Sequence, residues 1–478
     1  MVFSWNGRLL TAVAGDTIAL ALWRHGIAEI GSSRKRHRPL GASGAYLQGV
    51  LVRVDGRPHV RADETLVEQG MDVRQQNVWP TAHLNVLSLL RLVPGRFLRG
   101  GFERPRLLPG GTRRFEWWER LLMFLAGEVS LSLDTVLDTR MPRGERWEGD
   151  VVVVGGGPEG RREANASASN GLRVCLVSRS LEPGSFAAAM GIPLPGLNPA
   201  IKLLAGHEAT GVYRDGTVVL ATPKIPHEPP TVLVCKRLIL GTGRRSVPPL
   251  IPGHDLPGVL EARLALGWAS ALGSDLGPAV VVGTGAQDDI GRVLAANGVN
   301  IAAIGSVTDL SRIEGRRAVR AVKLNGVIIR CRSLIHAGPW LADPSLAFQA
   351  AQRGELRLVA GSLPDRVSVV GSARLKAKPT PLGSLESLQD VAVCSCMDVT
   401  VGEVLAHVRK GQTHVEVLKR ATSCGMGPCQ GLPCWEHLRA VVRRATGMSS
   451  EDHPTYRPPR RGITVDQAAV LDGLLELE

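Results

Sequence analysis

The chain has 478 residues, 44% hydrophobic but only 4% aromatic, enough for two to four domains with mainly aliphatic cores. Lysine and arginine outnumber the acids 57 to 44, and the net charge of +13 is spread along the chain without aromatic interleaving, so no nucleic acid is expected as a partner. Met1 to Leu22 lacks the basic start and long apolar stretch of a secretion signal, and no run reaches the ~20 apolar residues of a membrane span; a cytoplasmic protein with no membrane insertion is expected.

Taken in chain order, Val2 to Trp5 leads into the hairpin signal Asn6-Gly7, and Asp16-Thr17 precedes a short helical stretch from Ile18 to Trp23. Val50 to Val54 reads as a strand closed by Asp55-Gly56. Residues 1–90 are therefore expected to form a small β-grasp-like module. Residues 91–148 read as a connector punctuated by glycine and proline, with a helical pattern over 115–125.

The texture changes at Asp150. Val151 to Val154 is a continuous apolar strand, followed at once by Gly155-Gly156-Gly157-Pro158-Glu159-Gly160, a helical stretch and a second apolar strand over 173–177. That is a βαβ unit with a G-x-G-x-x-G turn, whose glycines let the backbone approach a pyrophosphate at a helix N-terminus. A similar unit starts at Ala279, with Gly283 and Gly285 in its turn, and Gly241-Thr242-Gly243 lies between the two. The expected fold is α/β, with two nested Rossmann-type dinucleotide-binding units spanning 149–385 and the second, about 276–345, inserted in the first. Gly155, Gly157, Gly160, Gly241, Thr242, Gly243, Gly283, Gly285 and Gly371 are the candidate nucleotide contacts. Where the second strand of such a unit ends, an acid commonly holds the ribose; here Ser178-Arg179 stands instead, so that Arg179 either supports a phosphate or binding is weakened. Asp288 takes the third glycine position of the second turn and would face a pyrophosphate. FAD is expected at the first turn, and a retained fold without NAD(P) at the second.

The last 90 residues read as helical, with capping boxes at Thr400 to Glu403 and at Thr413 to Glu416, and a third helix from Pro433 to a stop at Gly447. Cys175, Cys235 and Cys331 are isolated in apolar runs, as buried inert thiols are; Cys394, Cys396, Cys424, Cys429 and Cys434 crowd together. The pair Cys394-x-Cys396 and the later pair Cys429-x4-Cys434 suit the four thiolates of a [2Fe–2S] cluster. A structural zinc site or a chance grouping are the alternatives, and Cys424 is either a surplus thiol or a replacement for Cys429.

The cysteine spacing resembles the bacterioferritin-associated ferredoxin-like [2Fe–2S] domain. The order of parts resembles the α subunit of heterotetrameric sarcosine oxidase and its opine and proline dehydrogenase relatives. Ser33 to Gly41 is similar to that family's His-Arg-Pro-Arg-Gly loop, Gln76 to Pro80 to its Gln-Asn-x-Trp-Pro segment, and Glu416 to Thr422 to its Glu-x-x-Lys-Arg-x-Thr segment. The resemblance implies an electron-transfer subunit of a hetero-oligomer, in which a flavin-containing partner subunit oxidises an amine or amino acid. It also exposes departures. Gly49 and Asp63 stand where related N-terminal modules hold cluster cysteines, and the closing Gly-Asp of such flavoproteins is Gly371-Ser372. The N-terminal module is therefore expected to be cluster-free, with the [2Fe–2S] domain at 386–450 and a tail at 451–478. Two readings compete: a self-sufficient FAD- and NAD(P)-dependent oxidoreductase, and a non-catalytic scaffold subunit.

Overall fold

The computed structural model describes residues 1–44, 50–80, 84–92, 117, 120–121, 123–124, 142–225, 228–351, 363–375, 382–447, 454–471 and 474. Gly49 and most of the 115–125 stretch lie outside these residues; Trp117, Arg120, Leu121, Met123 and Phe124 are helical.

The hairpin pairs Val2–Trp5 with Arg8–Thr11, and Asn6 and Gly7 take the left-handed turn their sequence signals. Thr17 caps the Ile18–Arg24 helix by accepting the Leu20 N–H. Val2–Trp5 also pairs in parallel with Asp72–Gln75, giving a five-stranded mixed sheet that ends in the Leu51–Val54 and Arg57–Arg61 hairpin. This β-grasp module has an apolar interior built from Phe3, Ile18, Leu22, Val52 and Val73, and the same core continues into the second Rossmann unit through Leu260, Trp268 and Leu276. Trp23 anchors the junction: it meets Trp268 at 5.7 Å and donates its indole N–H to Asp275 O at 3.0 Å.

The first Rossmann sheet aligns Lys202–Ala205, Val174–Ser178, Glu145–Val154 and Thr231–Leu240 in parallel, with Val367–Val369 beside the last. Its first strand begins at Glu145, ahead of the expected position, because Glu145 to Gly149 still pairs with Thr231 to Cys235. The Val151–Val154 run is buried on both faces, as parallel strands under helices require. The second unit aligns Val259–Glu261, Ser333–Ala337, Ala279–Gly283 and Ile301–Ser306, all in parallel.

The C-terminal domain places the Val401–Val408, Val415–Thr422 and Cys434–Thr446 helices around the Ala392–Cys394 and Val399–Thr400 hairpin. The Thr400–Glu403 capping box forms as expected. The second box does not: His414, not Thr413, is the N-cap, and its ring nitrogen accepts the Glu416 N–H at 3.1 Å. A neutral imidazole offers the same lone pair as a hydroxyl, one residue nearer the helix. The segment expected as a tail packs back on the first Rossmann sheet, with Leu471 and Leu474 against Val218, Leu220 and Val232. Among the described residues no helix is long and apolar enough to cross a membrane.

Candidate metal centre

All five clustered cysteines are buried, and they share one core with Val393, Val399, Leu418 and Trp435. The hairpin presents Cys394 and Cys396, the loop after the Val415–Thr422 helix presents Cys424 and Cys429, and the first residue of the next helix is Cys434. Cys396 Sγ lies 3.8 Å from Cys394 Sγ and 3.5 Å from Cys429 Sγ. Cys434 is within thiol hydrogen-bonding reach of both Cys394 and Cys429. Cys394, Cys396, Cys429 and Cys434 thus close a four-membered ring. Cys424 sits outside one edge of it, in reach of Cys394 and Cys434. It follows the end of the Val415–Thr422 helix and is a fifth member of the group.

Electrostatics alternate around the ring. Hydrogen bonds from Cys396, Cys424 and Cys434 hold the Cys394 thiol well below its ordinary range, and the Gly425 N–H adds a contact to its Sγ at 3.5 Å. Cys429 is lowered in the same way by Cys396 and Cys434. Cys175, Cys235 and Cys331 behave as the reverse case, with burial pushing each thiol up to about 12. Among the described residues no three His, Cys, Asp or Glu side chains converge as ligands of a single ion do. A two-iron cluster asks instead for a pair of thiolates at each iron, which a ring of four supplies. The donor set fits that group.

Glycines let the loop close on the sulfurs. Gly425 has φ +72°, and a Cβ there would stand 2.2 Å from the Trp435 ring; a Cβ at Gly427 would stand 2.6 Å from Cys396 Sγ. Between the ring and the Rossmann domain lies a cavity of about 10 Å³ lined by Ser43, His254, His336, His437 and Cys434, room for one water. His254 stacks edge-on against His437 at 5.6 Å, and burial pushes His336 down to about 3 and His437 to about 4, so all three rings are neutral near pH 7. No sequence pattern marks them, since they come from three distant segments.

At the first nucleotide turn, Gly155 and Gly160 pack as the motif requires: a Cβ at Gly155 would stand 2.1 Å from Gly241 O, and one at Gly160 1.9 Å from Gly155 O. Gly157 faces open space, and the Pro158–Ser169 helix has no side-chain cap, which suits a pyrophosphate. Arg161 straps the following segment over the turn, donating to Pro195 O at 2.9 Å and Pro183 O at 2.5 Å. Gly371, at φ +64°, lies against the Glu159 side chain, and Ser372 stands near Gly243. Arg179 is drawn elsewhere: burial lowers its guanidinium, against the pull of Glu64, and Arg460 and Arg461 of the C-terminal segment crowd it. At the second turn the Gly285 N–H is already taken by Gln287 Oε1 at 2.7 Å, and Asp288 and Asp289 fill the first helical turn. Those residues do not fit a dinucleotide pyrophosphate.

Residues 1–78 contain no cysteine. Asp63 is buried, and its charged neighbours are Arg61, Glu64 and Arg461. Arg461 joins Glu64 to Glu208 of the Rossmann sheet, with Nη1 2.6 Å from Glu208 Oε2.

Comparison with known proteins agrees with this layout. A family described as a 2Fe-2S iron-sulfur cluster binding domain matches residues 1–78, and one described as a BFD-like [2Fe-2S] binding domain matches 392–444. The chain is 25% identical to the alpha subunit of sarcosine oxidase from Rhizobium meliloti, over 95% of this chain and 56% of that protein. It is 35% identical to an opine oxidase subunit of the same organism, over 20% of this chain and 21% of that one. In fold it resembles the crystal structure of L-proline dehydrogenase from P. horikoshii, with a TM-score of 0.71 and 22% identity over 98% of this chain and 96% of that chain. The chain is homologous to these oxidase subunits, and it spans about half the length of the sarcosine oxidase subunit it matches.

Proposed function

We propose that this homologue of the sarcosine oxidase α subunits is the electron-transfer subunit of a multi-subunit, FAD-dependent amine or amino-acid oxidase or dehydrogenase. The observation that carries the reading is the closed ring of Cys394, Cys396, Cys429 and Cys434 under a BFD-like [2Fe-2S] match. When bound, such a cluster stores and passes single electrons. The chain's own part is to hold the sulfurs, to aim the Gly425 N–H at Cys394, and to wall the site with Trp435 and Leu418. FAD is placed at the first turn, over Gly155, Gly157 and Gly160, near Gly241, Thr242, Gly243 and Gly371. NAD(P) is left out at Gly283 and Gly285, because Gln287 occupies the donor it would need.

Oxidation of the amine is assigned to a flavin-containing partner chain, in keeping with the subunit character of the relatives, and the complex to the cytoplasm. The test is anaerobic purification of the chain with its iron, with and without the partner, followed by visible absorption and iron and flavin content. Visible bands that bleach with dithionite, and are lost with Cys394→Ser, are the expected result. A colourless chain after iron-replete, oxygen-free handling would instead favour a non-catalytic scaffold.

A further inference from the structure

The basic loop near the N-terminus is folded over the strand-loop that presents the first two thiols. The backbone N–H groups of Lys35 and Arg36 donate to Asp398 Oδ2 at 2.9 and 3.0 Å, and Arg38 Nε donates to Asp398 Oδ1 at 2.8 Å. Arg38 Nη1 meets Asp255 Oδ2 at 2.7 Å. Asp398 is 1% exposed and stands two residues after Cys396, held in the left-handed region at φ 55°. One guanidinium therefore joins the N-terminal module, the Rossmann domain and the thiol loop.

The charge at this junction is uneven. Two carboxylates face one guanidinium in a wall of the site, with the Arg38 side chain 20% exposed and that of Asp255 15%. Burial alone would lower the Arg38 guanidinium, but Asp255 and Asp398 outweigh it and keep it charged, and Cys394 lies within its electrostatic reach. Reduction of an iron–sulfur cluster adds a negative charge, so a nearby buried cation favours the reduced form and a nearby anion the oxidised one.

Resting on the reading of the thiol ring as a [2Fe–2S] site, we propose that the Arg38–Asp398 pair sets the cluster's reduction potential. The N-terminal module, which has no thiolate of its own, then acts on electron transfer through one partly buried cation. Arg38 is a positioning residue here, since it touches no sulfur.

The test is a mediated redox titration of the whole chain, with the reduced cluster followed by electron paramagnetic resonance, for wild type, Arg38→Gln, Arg38→Lys and Asp398→Asn. Arg38→Gln removes the cation the two carboxylates share and is expected to lower the reduced-to-oxidised ratio at fixed solution potential about tenfold, ~59 mV for a one-electron couple. Asp398→Asn keeps the acceptor oxygen for Lys35 and Arg36 and is expected to raise the ratio by a similar factor. Arg38→Lys should stay near wild type. A loop merely loosened would move the Gln and Asn variants in the same direction. That outcome, or shifts below about twofold with iron retained, overturns the inference and leaves the cluster reading intact. Iron-free wild-type chain overturns both. If Arg38→Gln does not retain iron, a raised potential in Asp398→Asn with an unchanged one in Arg38→Lys supports the proposal, and any other pair of results overturns it.

Discussion

At one end of the chain, residues 1–78 keep a five-stranded β-grasp sheet under a 2Fe-2S family match without a single cysteine. At the other, residues 392–444 gather five buried thiols in one core. The contrast lies in what each core is made of. Phe3, Ile18, Leu22, Val52 and Val73 fill the N-terminal interior, so that module loses no packing when its ligands are gone. Around Asp63, Arg61, Glu64 and Arg461 form a network of charges. In the C-terminal domain the sulfurs are themselves core atoms, and a domain this small gains much of its stability from a bound metal centre. A ferredoxin-like fold outlives its cluster where apolar residues hold it, and depends on the cluster where thiols do.

The sharpest way to break this contrast is Cys394→Ser. Cys394 lies 3.8 Å from Cys396 and interacts with Cys424 and Cys434, and its loss is expected to abolish iron binding and to lower the protease resistance of the 392–444 domain. Iron content and limited proteolysis check it.

The second is Arg461→Ala at the other end. It leaves Glu64 and Glu208 buried without their shared partner, an expected cost of about 3–5 kcal/mol in thermal or denaturant unfolding, with iron content unchanged. The same network has a pH signature. Burial alone would raise the Glu64 carboxyl, but Arg61 and Arg461 pull it from 4.5 down to about 2. Its folded value is depressed, so its stabilisation is present above pH ~4.5 and is lost as pH falls toward ~2. In Arg461→Ala the acid-unfolding midpoint should move upward.

Gly425→Ala comes third. A Cβ in the left-handed region, pressed on Trp435, is expected to cost about 2–4 kcal/mol in the C-terminal domain and to alter the visible spectrum. The smallest effect belongs to Cys331→Ala. Burial holds that thiol protonated, far from the ring, so the change should cost about 1 kcal/mol and leave iron and spectrum as they were.

Much of this was legible in the residues. The Val151–Val154 run with its glycine turn, the Thr400 capping box and the two cysteine pairs are local patterns, and local patterns survive into three dimensions. What sequence could not show is assembled from distance. Asp398 and Asp255 meet Arg38 across 360 and 217 positions, His254, His336 and His437 line one cavity from three segments, and Arg461 returns from the C-terminal segment to Glu64. Each is a buried polar contact that no periodicity announces. Cys424 was visible but unplaced, because spacing alone does not say which edge of a ring a thiol will lie against.

The central claim is one cluster, at the C-terminal end only. Iron quantified per chain on anaerobically purified, iron-replete protein, together with the spectrum of the Cys394→Ser variant, tests it most directly. The account predicts about two irons per chain, all lost in the variant. About four irons, or two that persist when Cys394 is gone, would contradict it by placing a cluster outside the thiol ring.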